Sequence, residues 1–353
     1  MTITRRRQTG FELNSTTAEC TLIGTAPTNP TISTTQKKTG TYSLRMGANA
    51  TASYAALWTV PATRQLRFGF HVWLDNSQTP ASNPYVANLS TAADAVMVGL
   101  RFDHNLGVLY LYDYGGTSRD SITGINVLQF YHIGIDVKID SSSGWLKVYI
   151  DGVLSLEFTG DTGNTDITRV IAGIYPYVTN ASLAAAKYYY FDDVTIDDTT
   201  GEPSPAPVPD RRYSLLTPSG DGTYSQWKNS SGTSVNNYLY VDEVPYNTTD
   251  YVNISGSGFK DSYGMTDFSI PANSTISAVI PMVVAQKNDA SDTQLMLGTI
   301  LSGTELLGSS QTLLTSYGLV TFERQTSKPG GGAWTGADVN AMEFLMMSSG
   351  TFA

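Results

Sequence analysis

An all-β fold of two β-sandwich or jelly-roll modules joined by a Pro-rich linker is what this sequence predicts, and three observations predict it. Helical periodicity is nearly absent along the 353 residues, while short runs of alternating apolar and polar side chains recur. Such runs are the mark of strands with one buried face. Charged residues make up only 15% of the chain, against 21 Tyr and 12 Phe, a balance that suits β-rich, extracellular-type or virion-type surfaces. Finally, Lys187–Asp198 (KYYYFDDVTIDD) alternates like a closing strand and runs straight into Thr199–Asp210 (TTGEPSPAPVPD). Proline has no amide donor and fixes φ, so that second stretch cannot join a sheet and runs semi-extended.

The boundaries follow: a sandwich over 1–198, a linker over 199–210, and a second β-rich module over 211–353 that anchors or oligomerises. Residues 1–60 carry short apolar pieces such as Tyr42–Met46 between Thr/Asn/Gly runs. Alternation then predicts strands at Gln65–Leu74, Ala95–Phe102, Gly107–Tyr112 and Tyr131–Ile139. Trp145–Phe158 reads as a hairpin, because Asp151-Gly152 supplies the two positive φ angles of a type I′ turn. Val170–Val178 and Tyr188–Ile196 complete this set. In the second module, Asn237–Val241, Tyr251–Ile254, Ile276–Ala285, Gln294–Ser302, Leu313–Phe322 and Met342–Met347 read as strands. Ala337–Phe344 reads alternatively as a short helical turn with Asp338 near its start, and Gly330–Gly332 lies in a loop that delivers Trp334.

Net charge is −10, and the only basic cluster is Arg5–Arg7. With no basic stripe to neutralise phosphates, nucleic-acid binding is not expected, and the triplet reads as an N-terminal arm. Cys20 stands alone, so no intrachain disulfide forms and no Cys-based metal site is suggested. No apolar h-region follows the N-terminal arginines and no run has the length of a membrane span. The expectation is a chain made in a cytoplasm, with no membrane partner.

Three segments, Thr39–Leu44 (TGTYSL), Trp145–Gly152 (WLKVYIDG) and Tyr189–Asp198 (YYFDDVTIDD), together resemble concanavalin A-like or LamG-like jelly rolls over about residues 8–200. The remainder is similar to a module attached to such jelly rolls in tailed-phage virion proteins. It carries that resemblance at Tyr240–Glu243 (YVDE), Thr275–Val284 and the Ala333-Trp334-Thr335 turn running through Asp338-Val339-Asn340-Ala341. Where that group has a more acidic turn before the tryptophan, this chain has Lys328-Pro329-Gly330. The resemblance implies a non-enzymatic virion structural protein, a capsid decoration or head surface protein in the first place. The alternative is a carbohydrate-binding adhesin on a tail or head fibre. Implied partners are capsid or other virion proteins, host-surface glycans and further copies of this chain in a homo-oligomer. The implied location is the virion, after synthesis in the host cytoplasm.

Sequence alone assembles no catalytic constellation. His71, His104 and His132 are far apart and read as packed or surface side chains. The Glu-x-Asp-x-x-Glu string that pairs acid and nucleophile in related glycan-cleaving jelly rolls is absent. Adjacent Asp192 and Asp193 are expected on opposite faces of a strand, one of them accepting backbone donors from a crossing loop. The Gly160–Asp166 loop offers oxygens at Asp161, Asn164 and Asp166 that suit Ca²⁺, although Asx turns explain it equally well. No other cofactor is expected. Tyr112, Tyr114, Tyr175 and Tyr177 are the candidate carbohydrate-binding rings, Tyr112 and Tyr114 because they precede Gly115-Gly116 at a strand end where loops cluster.

Overall fold

A computed structural model describes residues 4–24, 30–48, 54–75, 85–173, 187–200, 209–271, 274–321 and 324–352. The chain forms two compact units, Met1–Ser214 and Leu215–Ala353.

The first unit contains β1 (Thr4–Thr9), α1 (Thr16–Glu19), β2 (Thr21–Gly24), β3 (Pro30–Ser33), β4 (Ser43–Ala48), β5 (Tyr54–Thr63), β6 (Gln65–Leu74) and β7 (Tyr85–Ser90). It continues with β8 (Val96–Asp103), β9 (Val108–Asp113), β10 (Ser118–Ile122), β11 (Phe130–Lys138), β12 (Gly144–Ile150), β13 (Val153–Gly160), β14 (Ile167–Gly173) and β15 (Lys187–Asp198). The first sheet has the order β13-β12-β11-β6-β15-β4-β3, with β1 also paired to β15, and the second β10-β9-β8-β7-β14-β5-β2. All these pairings are antiparallel.

Alternation places one side of each sheet in a shared core. Leu66, Phe68, Phe70 and Val72 of β6 meet Val98, Leu100, Phe102, Leu109 and Leu111 of β8 and β9 there. A fully buried side chain of this size contributes about 1.5–3 kcal/mol, so this face fixes the register of every strand. The β12–β13 turn has Asp151 at φ 49° and Gly152 at φ 82°, the left-handed pair expected of Asp-Gly.

The opposite side of the first sheet carries charge in register. Asp197, Arg67, Asp136, Lys147 and Glu157 lie side by side across β15, β6, β11, β12 and β13, alternating in sign. Arg67 Nε is 3.9 Å from Asp136 Oδ2, with both residues buried, and Lys147 Nζ is 3.2 Å from Glu157. Burial pushes the Asp136 carboxyl up, against the pull of Arg67.

The second unit contains β16 (Pro218–Ser225), β17 (Lys228–Asn229), a 3-10 turn (Asn237–Tyr240), β18 (Val252–Asn253), β19 (Lys260–Met265), β20 (Met282–Ala285) and β21 (Thr293–Leu301). After these come β22 (Thr304–Leu307), β23 (Gln311–Thr312), β24 (Gly318–Thr321), α2 (Gly336–Ala341) and β25 (Glu343–Gly350). Its main sheet runs β16-β19-β25-β21-β22, with β23 also on β21. Trp227, Tyr263, Leu297 and Met346 fill one core cluster, and Leu301, Trp334, Val339 and Met342 another.

Asn237–Val241, expected as a strand, is instead that 3-10 turn. Asn237 buries its amide against the Trp227 carbonyl and the Asp261 carboxylate, tying the segment inward where a ladder would leave it. The helical reading of the segment after Trp334 is the one realised. Thr335 and Asp338 form a reciprocal capping box at the start of α2.

Candidate functional site

The outer face of the second sheet gathers aromatic and cationic side chains. One row across it runs Tyr112 (β9), Gly99 (β8), Asn88 (β7), Ile171 (β14) and Leu57 (β5). The neighbouring row runs Tyr110, Arg101 and Tyr85. Because successive side chains alternate, the same strands that send Leu100 and Leu111 to the core must send these residues outward.

Arg101 is the centre of the arrangement. Its guanidinium carbon lies 4.4 Å from the centroid of the Tyr85 ring and 4.4 Å from that of Tyr112. One terminal nitrogen donates to the Tyr85 hydroxyl at 2.7 Å, and the buried Nε has no hydrogen-bond partner among the described residues. Tyr110 and Tyr112 extend the aromatic row, their centroids 6.3 Å apart. Gly99 makes room for it, since a Cβ there would sit 2.3 Å from Tyr85 Cε1. Farther along the face Ser90 is fully buried, and neither it nor Leu57 nor Ile171 belongs to the main core.

Among the described residues Arg101 has no carboxylate within ion-pair distance. Nearby cations differ. Arg169 is held by Asp94 and Arg119 by Asp113, whose other oxygen also receives the Gly115 and Thr117 amides at 2.9 Å.

Of the four tyrosines singled out from sequence, Tyr112 is on this face. Tyr114 lies just past β9, 45% exposed, and donates to Asp161 Oδ2 at 3.2 Å. That bond to a carboxylate holds its phenol above the ordinary range. Tyr175 and Tyr177 lie outside the described residues. In the Gly160–Asp166 loop, Asp161 Oδ1 accepts the Gly163 amide at 2.9 Å in an Asx turn. Arg64 takes the Asp166 carboxylate at 2.8 Å and the Asn164 carbonyl at 2.6 Å. Among the described residues no cluster of three or more His, Cys, Asp and Glu side chains is arranged to hold a metal.

A second gathering of titratable groups lies on the outer face of the first sheet. Pairing of β6 with β11 sets His71 beside His132, their ring centroids 5.1 Å apart. His71 Nδ1 is 3.2 Å from Asp193 Oδ2, and its Nε2 is 3.2 Å from Asp210 Oδ1. A carboxylate facing each ring nitrogen favours the protonated ring. Burial opposes that charge, but the bonds to Asp193 and Asp210 outweigh it and raise the His71 pKa. Burial and the neighbouring His71 charge push His132 the other way, down to about 4.

Asp192 and Asp193 do not simply face apart as an ideal strand would have them. The pairing of β15 with β6 shifts register between Asp192 and Thr195, and Asp193 takes φ 49°. Both carboxylates therefore reach one loop. Asp192 accepts the Lys38 and Thr39 amides, and Asp193 accepts the Thr39 hydroxyl and the Tyr213 amide. Burial and the Asp193 charge raise the Asp192 pKa to about 8.

No protein-family model and no curated protein matches the chain. Solved structures do. The alginate lyase Aly36B is 16% identical with a TM-score of 0.35, covering 45% of this chain and 81% of its own. The cellulose-induced protein Cip1 is 14% identical with a TM-score of 0.38, covering 50% and 86%. A sialidase is 13% identical with a TM-score of 0.38, covering 51% of this chain and 17% of its own. Likenesses of this size assign no activity or ligand.

One expectation is corrected by them. Enzymatic activity had been set aside, yet the neighbours include alginate lyases and sialidases, so the architecture is one in which enzymes occur. The physical reason lies in what the sequence argument tested. A missing Glu-x-Asp-x-x-Glu string bears on one catalytic pairing within one strand. Groups joined by non-local strand pairing, as His71, His132 and Asp193 are here, leave no such string.

Proposed function

We propose that this chain is a carbohydrate-binding protein displayed on a virion surface, with the outer face of the second sheet as its glycan site. The observation that carries the binding role is the cluster that Tyr110, Tyr112 and Arg101 form over two neighbouring rows, with Tyr85 buried against Arg101. Tyrosine rings present a flat apolar body with a polar tip, and a sugar ring has an apolar face edged by hydroxyls. Rings held by strand pairing are pre-organised, so little freedom is lost when a sugar stacks on them. The guanidinium between them adds fixed donors that orient what stacks.

The virion setting is supported by the resemblance of residues Tyr240–Glu243 and Ala333–Ala341 to a module of tailed-phage particle proteins. In that setting the second unit anchors to other virion proteins or to further copies of the chain, and the first unit meets the host glycan. Affinity electrophoresis of the full chain through gels containing host-type polysaccharides tests the binding role. Retardation by at least one polysaccharide that is clearly reduced in Tyr112→Ala is expected. Unretarded migration in all of them removes the glycan site. Release of reducing sugar from a bound polymer would add a catalytic role at the same face.

A further inference from the structure

Resting on the glycan-binding reading, we infer that the site selects an anionic sugar, one bearing a carboxylate or sulfate, with Arg101 as its anion receptor. The argument begins with charge. A half-buried guanidinium is normally placed against a carboxylate, because desolvating an unpaired cation is costly. In the first unit Arg6, Arg64, Arg67, Arg119 and Arg169 each have an Asp partner, while Arg45, set over the single Tyr188 ring, has none among the described residues. Arg101 has two tyrosine rings in place of an acid.

The stretches 25–29, 49–53, 76–84 and 174–186, which connect strands of the second sheet to their neighbours, contain neither Asp nor Glu. Aromatic faces stabilise a cation without satisfying its in-plane N–H groups. Of those donors one terminal nitrogen reaches the Tyr85 hydroxyl and Nε is sealed from solvent, so a ligand would meet the terminal N–H groups. The planar fork of an arginine matches two oxygens of a carboxylate or sulfate at once, which a neutral hydroxyl cannot reproduce.

The overall charge of −10 does not forbid an anion here. At physiological ionic strength charges are screened beyond about 8 Å; Asp94 and Asp113 are paired with Arg169 and Arg119, and Asp103, two residues along β8 from Arg101, accepts the Asn105 and Leu106 amides.

Isothermal titration of the full chain with three polymers decides the matter: a polyuronate, a sulfated polysaccharide and a neutral glucan of similar length, all at the same ionic strength. Binding of the polyuronate or the sulfated polymer in preference to the glucan is expected, the stronger of the two naming the acid group. Arg101→Gln is expected to weaken that binding by about 10- to 100-fold, the worth of a charge-assisted hydrogen bond. Arg101→Lys, which keeps charge and loses the fork, should recover part of it. A single cooperative melt lowered by no more than a few degrees in Arg101→Gln shows that the loss is local. Equal affinity for all three polymers, or undiminished binding in a folded Arg101→Gln, overturns anion selection and leaves the glycan site standing. Binding of none of them overturns both.

Discussion

Arg67 and Arg101, one on the outer face of each sheet, have opposite surroundings. On the first sheet Arg67 sits in a row of alternating charge, flanked in register by Asp197 and Asp136, and buried. On the second sheet Arg101 occupies the equivalent outward position with Tyr85 and Tyr110 as its register neighbours. A cation whose neighbours are carboxylates has its electrostatic capacity consumed by the fold. A cation whose neighbours are rings is held in place with that capacity intact. The first is a device for stability and register; the second is a receptor.

The comparison breaks most sharply on stability. Arg67→Met leaves Asp136 buried without its cation, and removing one partner of a buried pair costs about 3 kcal/mol or more. Urea unfolding of the two substitutions should therefore separate Arg67→Met from Arg101→Gln, which loses stacking on two rings and the bond to the Tyr85 hydroxyl, about 1–2 kcal/mol. Equal losses would erase the distinction. Gly99→Ala comes next. The new methyl meets the Tyr85 ring, and the overpacking is expected to lower stability by about 1–3 kcal/mol while displacing Tyr85 from Arg101. A thermal melt and a binding isotherm on the same sample check both parts. Tyr112→Ala should leave the melt almost unchanged and weaken glycan binding about 3- to 10-fold.

The smallest expected effect sharpens the other face. Asp210 is 46% exposed, so Asp210→Asn should cost at most about 1 kcal/mol. Its signature is in titration. The His71 pKa is raised above the unfolded value of about 6.5, so its contribution is complete below that pH and is lost as pH rises through the folded value. Asp210→Asn should move that loss to lower pH. His132 runs the opposite way: with its folded pKa near 4, stability falls as pH drops from about 6.5 toward 4. Imidazole carbon shifts followed by NMR across this range report both rings separately. Co-titration of His71 and His132 near pH 6.5 would contradict the buried network.

Much of the sandwich was legible in the sequence because its information is local. Alternation in Gln65–Leu74 marks β6 to the residue, and Asp151-Gly152 marks its hairpin through the φ angles those two residues accept. What stayed hidden depends on register between distant strands. His71 and His132 are 61 positions apart, a separation read from their numbers in the sequence, and only the pairing of β6 with β11 brings them together. The bulge that turns Asp193 onto the Thr39 loop has no glycine to announce it. Tyr112 was found through its place at a strand end, whereas Arg101 and Tyr85 were missed. A usable signal existed: Arg101 is the single charged residue in the apolar run Ala95–Phe102. In the second unit Asn237–Val241 alternates like a strand, but the buried amide of Asn237 overrides the pattern.

The most direct test of the contrast between the two faces is a ¹H–¹⁵N spectrum of the arginine Nε–H groups, recorded while an oligouronate or a sulfated oligosaccharide is added to the full chain. Arg101 and Arg67 both bury their Nε, so both signals are protected from solvent and report on their own surroundings. The account expects the Arg101 signal to shift saturably with the anionic sugar and the Arg67 signal to stay where it is. A stationary Arg101 signal at saturating sugar, or a shift confined to Arg67, would contradict it.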